Sequence, residues 1–120
     1  MTTVLVLEDD EDNLIVLEAA LEMHGFVVRS ARSCAEAERL LAQGGVDALV
    51  SDYSLDDGNA VDWLKALGPR RPRVALLVTG YGDAESRAAS LAAGFQAHLV
   101  KPVAPADLDR ELRAALRMAS

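Results

Sequence analysis

Residues 3–12 read TVLVLEDDED, a short apolar run that passes without interruption into five consecutive acids, Glu8, Asp9, Asp10, Glu11 and Asp12. The run Val4 to Leu7 has no polar residue at every second position, so it does not suit a strand with one wet face. Near-continuous apolar character with β-branched residues suits a strand covered on both faces, as in a parallel sheet. The acids that follow place chemistry, or a solvated helix start, at the strand's carboxyl end.

Working outward, the same kind of run recurs at Phe26 to Ser30, Ala48 to Ser51, Val74 to Thr79 and Ala97 to Lys101. Between the runs lie segments with helical spacing. Leu14, Leu17 and Leu21 share one face of a first helix, and Ala37, Leu40 and Leu41 one face of a second. Val61, Leu64 and Leu67 mark a third, Ala88, Leu91 and Ala92 a fourth, and Leu108, Leu112, Ala115 and Leu116 a fifth. Ser33 and Asp83 stand where helix N-caps are expected, and Gly25, Gly44, Gly68 and Gly94 where helices end. Pro105 suits a first helical turn. Five βα units joined by short, right-handed crossovers predict an α/β domain with a five-stranded, doubly wound parallel sheet and helices on both faces. Ligands of such sheets bind beyond the strands' carboxyl ends.

Composition bounds the function. The chain has 120 residues, enough for one core, with 12 Lys+Arg against 19 Asp+Glu and a formal charge of -7. Non-specific binding to a phosphate backbone needs clustered cations, so nucleic acid is not expected as a partner of this domain. Cys34 is the one cysteine and has no Cys/His neighbours of a zinc site, which fits a buried small hydrophobe in a reducing, cytoplasmic setting. No apolar stretch approaches the ~20 residues of a membrane helix, and no secretory leader is legible. Residues 1–120 are expected to form a single domain, either free-standing or excised from a longer protein.

The strand ends carry the chemistry. Strand one ends in Glu8 and Asp9, strand three in Asp52, strand four in Thr79, and strand five in Lys101 followed by Pro102. A parallel sheet brings these ends to one edge, so three carboxylates, a hydroxyl and an ammonium converge. Carboxylates that close repel unless a cation intervenes, and oxygen-only donors suit Mg²⁺. An ionised Asp52 can then accept a phosphoryl group, with the metal and Lys101 neutralising the transferred oxygens and Thr79 donating a hydrogen bond.

The runs VLVLEDD (4–10), LVSDYSL (49–55), LLVTG (76–80) and HLVKP (98–102) resemble the successive motifs of two-component response-regulator receiver domains. The resemblance spans nearly the whole chain. It implies a (βα)5 flavodoxin-like fold with Asp52 as phosphoacceptor from a sensor histidine kinase or phosphotransfer domain. It further implies Mg²⁺ held by Glu8, Asp9, Asp52 and the Ser54 backbone carbonyl, Thr79 as the switch hydroxyl, Lys101 as the charge partner, His98 at the aromatic switch position and Pro102 after a cis bond. Such a domain is not an enzyme in the ordinary sense and catalyses only its own phosphorylation and dephosphorylation. The stretch Thr79-Gly80-Tyr81-Gly82 with Ala93-Gly94-Phe95 is similar to receivers attached to hybrid sensor kinases.

The chain departs from the family pattern at several positions. Glu8 replaces the commoner Asp, Asp56 a frequent Pro, Val103 a common Phe, and His98 a Tyr or Phe; a mobile loop at 56–59 is the expectation that follows from Asp56. Other readings stand beside these. Asp10, Glu11 and Asp12 suit a solvated helix start. Arg110, Arg113 and Arg117 make a basic stripe that either complements the last helix's dipole or meets an acidic partner. Trp63 reads as packing. The competing functions are a phosphorylation-independent pseudo-receiver acting as an interaction module, and a small metal-dependent phosphatase. The second lacks an acid two residues beyond Asp52, where Ser54 stands.

Overall fold

A computed structural model describes residues 1–80 and 82–119; Tyr81, within the stretch compared above to hybrid-kinase receivers, and Ser120 lie outside the described residues. The elements run β1 (Thr3–Leu7), α1 (Glu11–Met23), β2 (Val27–Ala31), α2 (Cys34–Ala42), β3 (Ala48–Ser51), β4 (Ser54–Leu55), β5 (Gly58–Asn59), α3 (Ala60–Leu67), a 3₁₀ turn (Gly68–Arg70), β6 (Val74–Thr79), α4 (Ala84–Ala93), β7 (Ala97–Val100) and α5 (Pro105–Ala119). Five strands form one sheet in the order β2-β1-β3-β6-β7, with every neighbouring pair parallel. Chain order reverses between β1 and β3, which is the switch point of a doubly wound sheet. The strands predicted at residues 26–30 and 97–101 form at 27–31 and 97–100, and the β4–β5 hairpin is an element the periodicity did not indicate.

Alternation along the central strands divides the core into two layers. Leu5, Leu7, Leu49 and Leu77 pack with Leu64, Leu67, Trp63 and Phe95 on one face. Val4, Val6, Val50, Leu76 and Val78 pack with Leu14, Leu21, Leu108 and Leu112 on the other. Both layers are apolar, so β1, β3 and β6 are covered on both sides. The edge strands are less so, and Val27 of β2 is exposed.

The helix starts are set by side chains. Asp10 Oδ1 accepts from the Asp12 and Asn13 N–H groups (2.9 and 3.4 Å), and Ser33, Asn59 and Asp83 cap α2, α3 and α4 in the same way. Asn59 was not singled out from the sequence. α4 contradicts the predicted face. Ala88, Leu91 and Ala92 are exposed, while Ser90 and Ala93 are buried. In this orientation the buried Ser90 hydroxyl lies against the Arg87 carbonyl and His98 Nδ1.

Candidate functional site

The carboxyl end of β1 is fixed on both sides. Glu8 N donates to Ala31 O (3.0 Å) and Asp52 N donates to Leu7 O (2.9 Å), so the parallel ladder runs through the last residues before the site. Glu8 and Asp52 therefore emerge side by side from neighbouring strands. Ser51 Oγ donates to the Asp52 carbonyl (2.8 Å), pinning the backbone of the residue that matters most.

Carboxylate oxygens of Glu8, Asp9 and Asp52 all lie within 4.8 Å of one another. Lys101 reaches this group from the end of β7, with Nζ 2.7 Å from Glu8 Oε1 and 3.4 Å from Asp52 Oδ1. Its backbone N–H donates to Thr79 O (2.8 Å), which locks the end of β7 to the end of β6. The Lys101–Pro102 peptide is cis.

Electrostatics follow from burial. Glu8 is fully buried, and desolvation raises its pKa against the Lys101 hydrogen bond, with the nearby Asp52 charge adding to the rise. For Lys101, desolvation pulls the pKa down, but the bond to Glu8 and the charges of Asp52 and Glu8 outweigh it and raise the pKa. Three converging carboxylates answered by one ammonium leave negative charge to balance. Hard oxygen donors of this kind fit a divalent cation such as Mg²⁺, which takes one or two carboxylates and keeps several waters.

Thr79 is buried at the end of β6, and with His98 it lines a groove of about 460 Å³ between α3 and α4. His98 is buried on β7 rather than displayed. Ser54 opens β4, two residues beyond Asp52, opposite Asn59 in the hairpin. Glu8, Asp9, Asp52 and Lys101 thus meet directly, while Thr79 and His98 stand in the adjoining groove. Arg110 pairs with Asp107 and Arg113 with Asp109, so much of the basic stripe is neutralised within α5.

Two contributors are not legible in the sequence. Arg32 Nη2 donates to the Asp9 carbonyl (3.1 Å), holding the β1–α1 loop. Asp57 accepts from the Cys34 and Ala35 N–H groups (2.9 and 3.1 Å), capping α2 from across the chain. The loop at 56–59, expected to be mobile for want of proline, forms part of the β4–β5 hairpin, with Asp57 bonded to the start of α2. The backbone bonds to Cys34 and Ala35 lower the Asp57 pKa. Burial, with the Asp57 charge beside it, pushes the Cys34 thiol up to about 12, so Cys34 is a packed hydrophobe and not a nucleophile. Asp57 lies 23 residues from Cys34 in the chain, so no local pattern announces the contact.

The sequence pattern of the response regulator receiver domain matches residues 4–113. The chain belongs to the response-regulator receiver family. This receiver is 36% identical over 101 residues to the photosynthetic apparatus regulatory protein RegA of Cereibacter sphaeroides, covering 83% of the chain and 55% of that protein. It is 36% identical over 117 residues to the transcriptional regulatory protein PrrA of Mycobacterium tuberculosis, covering 95% and 49%. The chain spans about half the length of these relatives. Among solved structures, the CheY-like receiver domain protein of Methanospirillum hungatei superposes with a TM-score of 0.90 at 28% identity, covering 99% of this chain and 96% of that one. No helix of the described residues is long and apolar enough to cross a membrane.

Proposed function

We propose that this receiver is a phosphoacceptor switch in a two-component phosphorelay. A carboxylate oxygen of Asp52 attacks the phosphorus of a phosphohistidine on a sensor kinase or phosphotransfer domain. The P–N bond breaks, an acyl phosphate forms, and the imidazole leaves with a proton. Glu8, Asp9, Asp52 and the Ser54 backbone carbonyl would hold Mg²⁺, which when bound neutralises charge on the transferring oxygens. Lys101 supplies a point charge to the same oxygens, and Thr79 donates its hydroxyl once the phosphoryl group is in place. Phosphorylation then shifts a pre-existing equilibrium, moving Thr79 and the surface around His98 and α5 that a downstream protein reads. The setting proposed is cytoplasmic.

The observation that carries this reading is the convergence of Glu8, Asp9, Asp52 and Lys101 from three different strand ends. The test is incubation with Mg²⁺ and acetyl phosphate, read by intact mass. Wild type is expected to gain one phosphoryl group and Asp52→Asn none. Labelling of Asp52→Asn would overturn Asp52 as the phosphoacceptor, and a wild type that neither gains a phosphoryl group from acetyl phosphate nor binds beryllofluoride would leave a phosphorylation-independent interaction module as the function.

A further inference from the structure

Outside the acidic pocket, a set of hydrogen-bonded polar side chains links α4 to β7. Ser90 is fully buried, and its Oγ lies 3.0 Å from the Arg87 carbonyl and 2.9 Å from His98 Nδ1. Arg87 in turn donates from Nη1 to the His98 carbonyl (3.3 Å) and from Nε to the Gly82 carbonyl (3.1 Å). His98 is thereby tied to one turn of α4 through both its ring and its backbone. A Cβ at Gly82 would meet Val100 Cγ2 at 2.7 Å, so Gly82 also lies tight against the end of β7.

Satisfying both contacts of Ser90 constrains the protons. A serine hydroxyl has one hydrogen, and a carbonyl can only accept. The arrangement that satisfies both contacts has Ser90 Oγ–H donating to the Arg87 carbonyl and Ser90 Oγ accepting from His98, with a hydrogen on His98 Nδ1. In the neutral ring Nε2 is then an acceptor. A tyrosine at this position would bring a hydroxyl at the far end of its ring and a phenylalanine no polar atom; neither offers a nitrogen to Ser90.

We propose that Ser90 is the positioning residue of the switch: it clasps His98 to α4 in the Nδ1–H tautomer and sets how readily α4 leaves β7. This rests on the phosphoacceptor reading given above. Any rearrangement that carries the Arg87–Ser90 turn of α4 away from β7 must break the Ser90–His98 bond or move both elements together. Removing the bond therefore lowers the cost of the phosphorylated arrangement, and a phosphoryl mimic binds more tightly because less of its binding is spent on the shift.

Two measurements on the full chain test this. Long-range ¹H–¹⁵N spectra of the imidazole at neutral pH are expected to show the Nδ1–H tautomer in wild type and a change of tautomer in Ser90→Ala. An Nε2–H tautomer in wild type, or identical His98 signals in Ser90→Ala, overturns the clasp. Beryllofluoride affinity in saturating Mg²⁺ is expected to rise about three- to tenfold in Ser90→Ala, the range of one lost neutral hydrogen bond. His98→Phe, which keeps a ring but no nitrogen, should give a similar rise, and the double variant should add nothing. Unchanged affinity in both single variants overturns the proposal while leaving the phosphoacceptor reading intact. Failure of wild type to bind beryllofluoride at all removes that reading, and the switch role of Ser90 with it, whatever the tautomer.

Discussion

At the residue scale, the pair that organises the site is Glu8–Lys101, 2.7 Å apart and separated by 93 positions in sequence. A buried carboxylate is costly unless paired and hydrogen-bonded, and here the ammonium and the Asp10 N–H share that task. Lys101→Met tests the balance. It leaves Glu8 buried beside Asp52 with no cation, so the metal-free chain is expected to lose about 2 kcal/mol in denaturant unfolding, somewhat below the penalty for a fully buried broken pair. The same change removes positive charge from a cation site, so Mg²⁺ is expected to bind about tenfold more tightly by titration calorimetry. Saturating Mg²⁺ should then restore much of the lost stability. A variant of ordinary stability with unchanged Mg²⁺ affinity would show that Lys101 is not coupled to the acids. Glu8, Asp9, Asp52 and Lys101 were all legible as strand-end residues. That Glu8, rather than Asp52, holds the closer bond to Lys101 was not, because only side-chain reach in the folded pocket decides it.

At the element scale, two helix ends depend on distant side chains. Asp57 caps α2, and Asp57→Ala is expected to cost about 1 kcal/mol at neutral pH, the usual worth of an N-cap. Its carboxyl pKa is lowered in the fold, so the stabilisation is present above the ordinary aspartate range and disappears as pH falls through the lowered pKa. The gap between wild type and Asp57→Ala in urea unfolding should therefore close on acidification and not on alkalinisation. Gly94 ends α4 with φ +113°, where a side chain is strained, and a Cβ there would collide with the Arg71 guanidinium. That guanidinium donates to the Leu64 and Ala93 carbonyls (3.3 and 2.9 Å), joining the ends of α3 and α4. Gly94→Ala is expected to destabilise by about 2 kcal/mol or more, and in Arg71→Ala the collision but not the backbone strain should be relieved. Element order and most caps were readable, since Ser33, Asp83, Gly94 and the 3.6-residue spacing act locally. The face of α4 was not, because Ser90 meets His98 of β7 inside the fold while Ala88, Leu91 and Ala92 face out, and that pairing is not written in local spacing.

At the scale of the molecule, charge is sorted by the topology. Helices of a parallel sheet all start at the edge where the strands end, and their first turns carry Glu11, Asp12, Glu36, Asp62, Glu85 and Asp107. These acids suit helix N-termini, and they surround the same edge as Glu8, Asp9 and Asp52. The net charge of -7 is therefore weighted toward the candidate site. Mg²⁺ at a hundredfold excess over its dissociation constant is expected to stabilise the fold by about 2.7 kcal/mol, or roughly 10 °C in melting temperature. Sodium chloride of matched ionic strength should give only a fraction of that by screening, and equal shifts from both salts would argue against a discrete ion site. The sequence by itself determined the five βα units, the sheet they form and which residues stand at the strand ends, because periodicity, caps and strand runs are written within a few neighbouring residues. Only the tertiary structure decided that Glu8 takes Lys101, that Asp57 caps α2 and that Ser90 holds His98. Those partners come from different elements, and packing, not spacing along the chain, sets the distance between them.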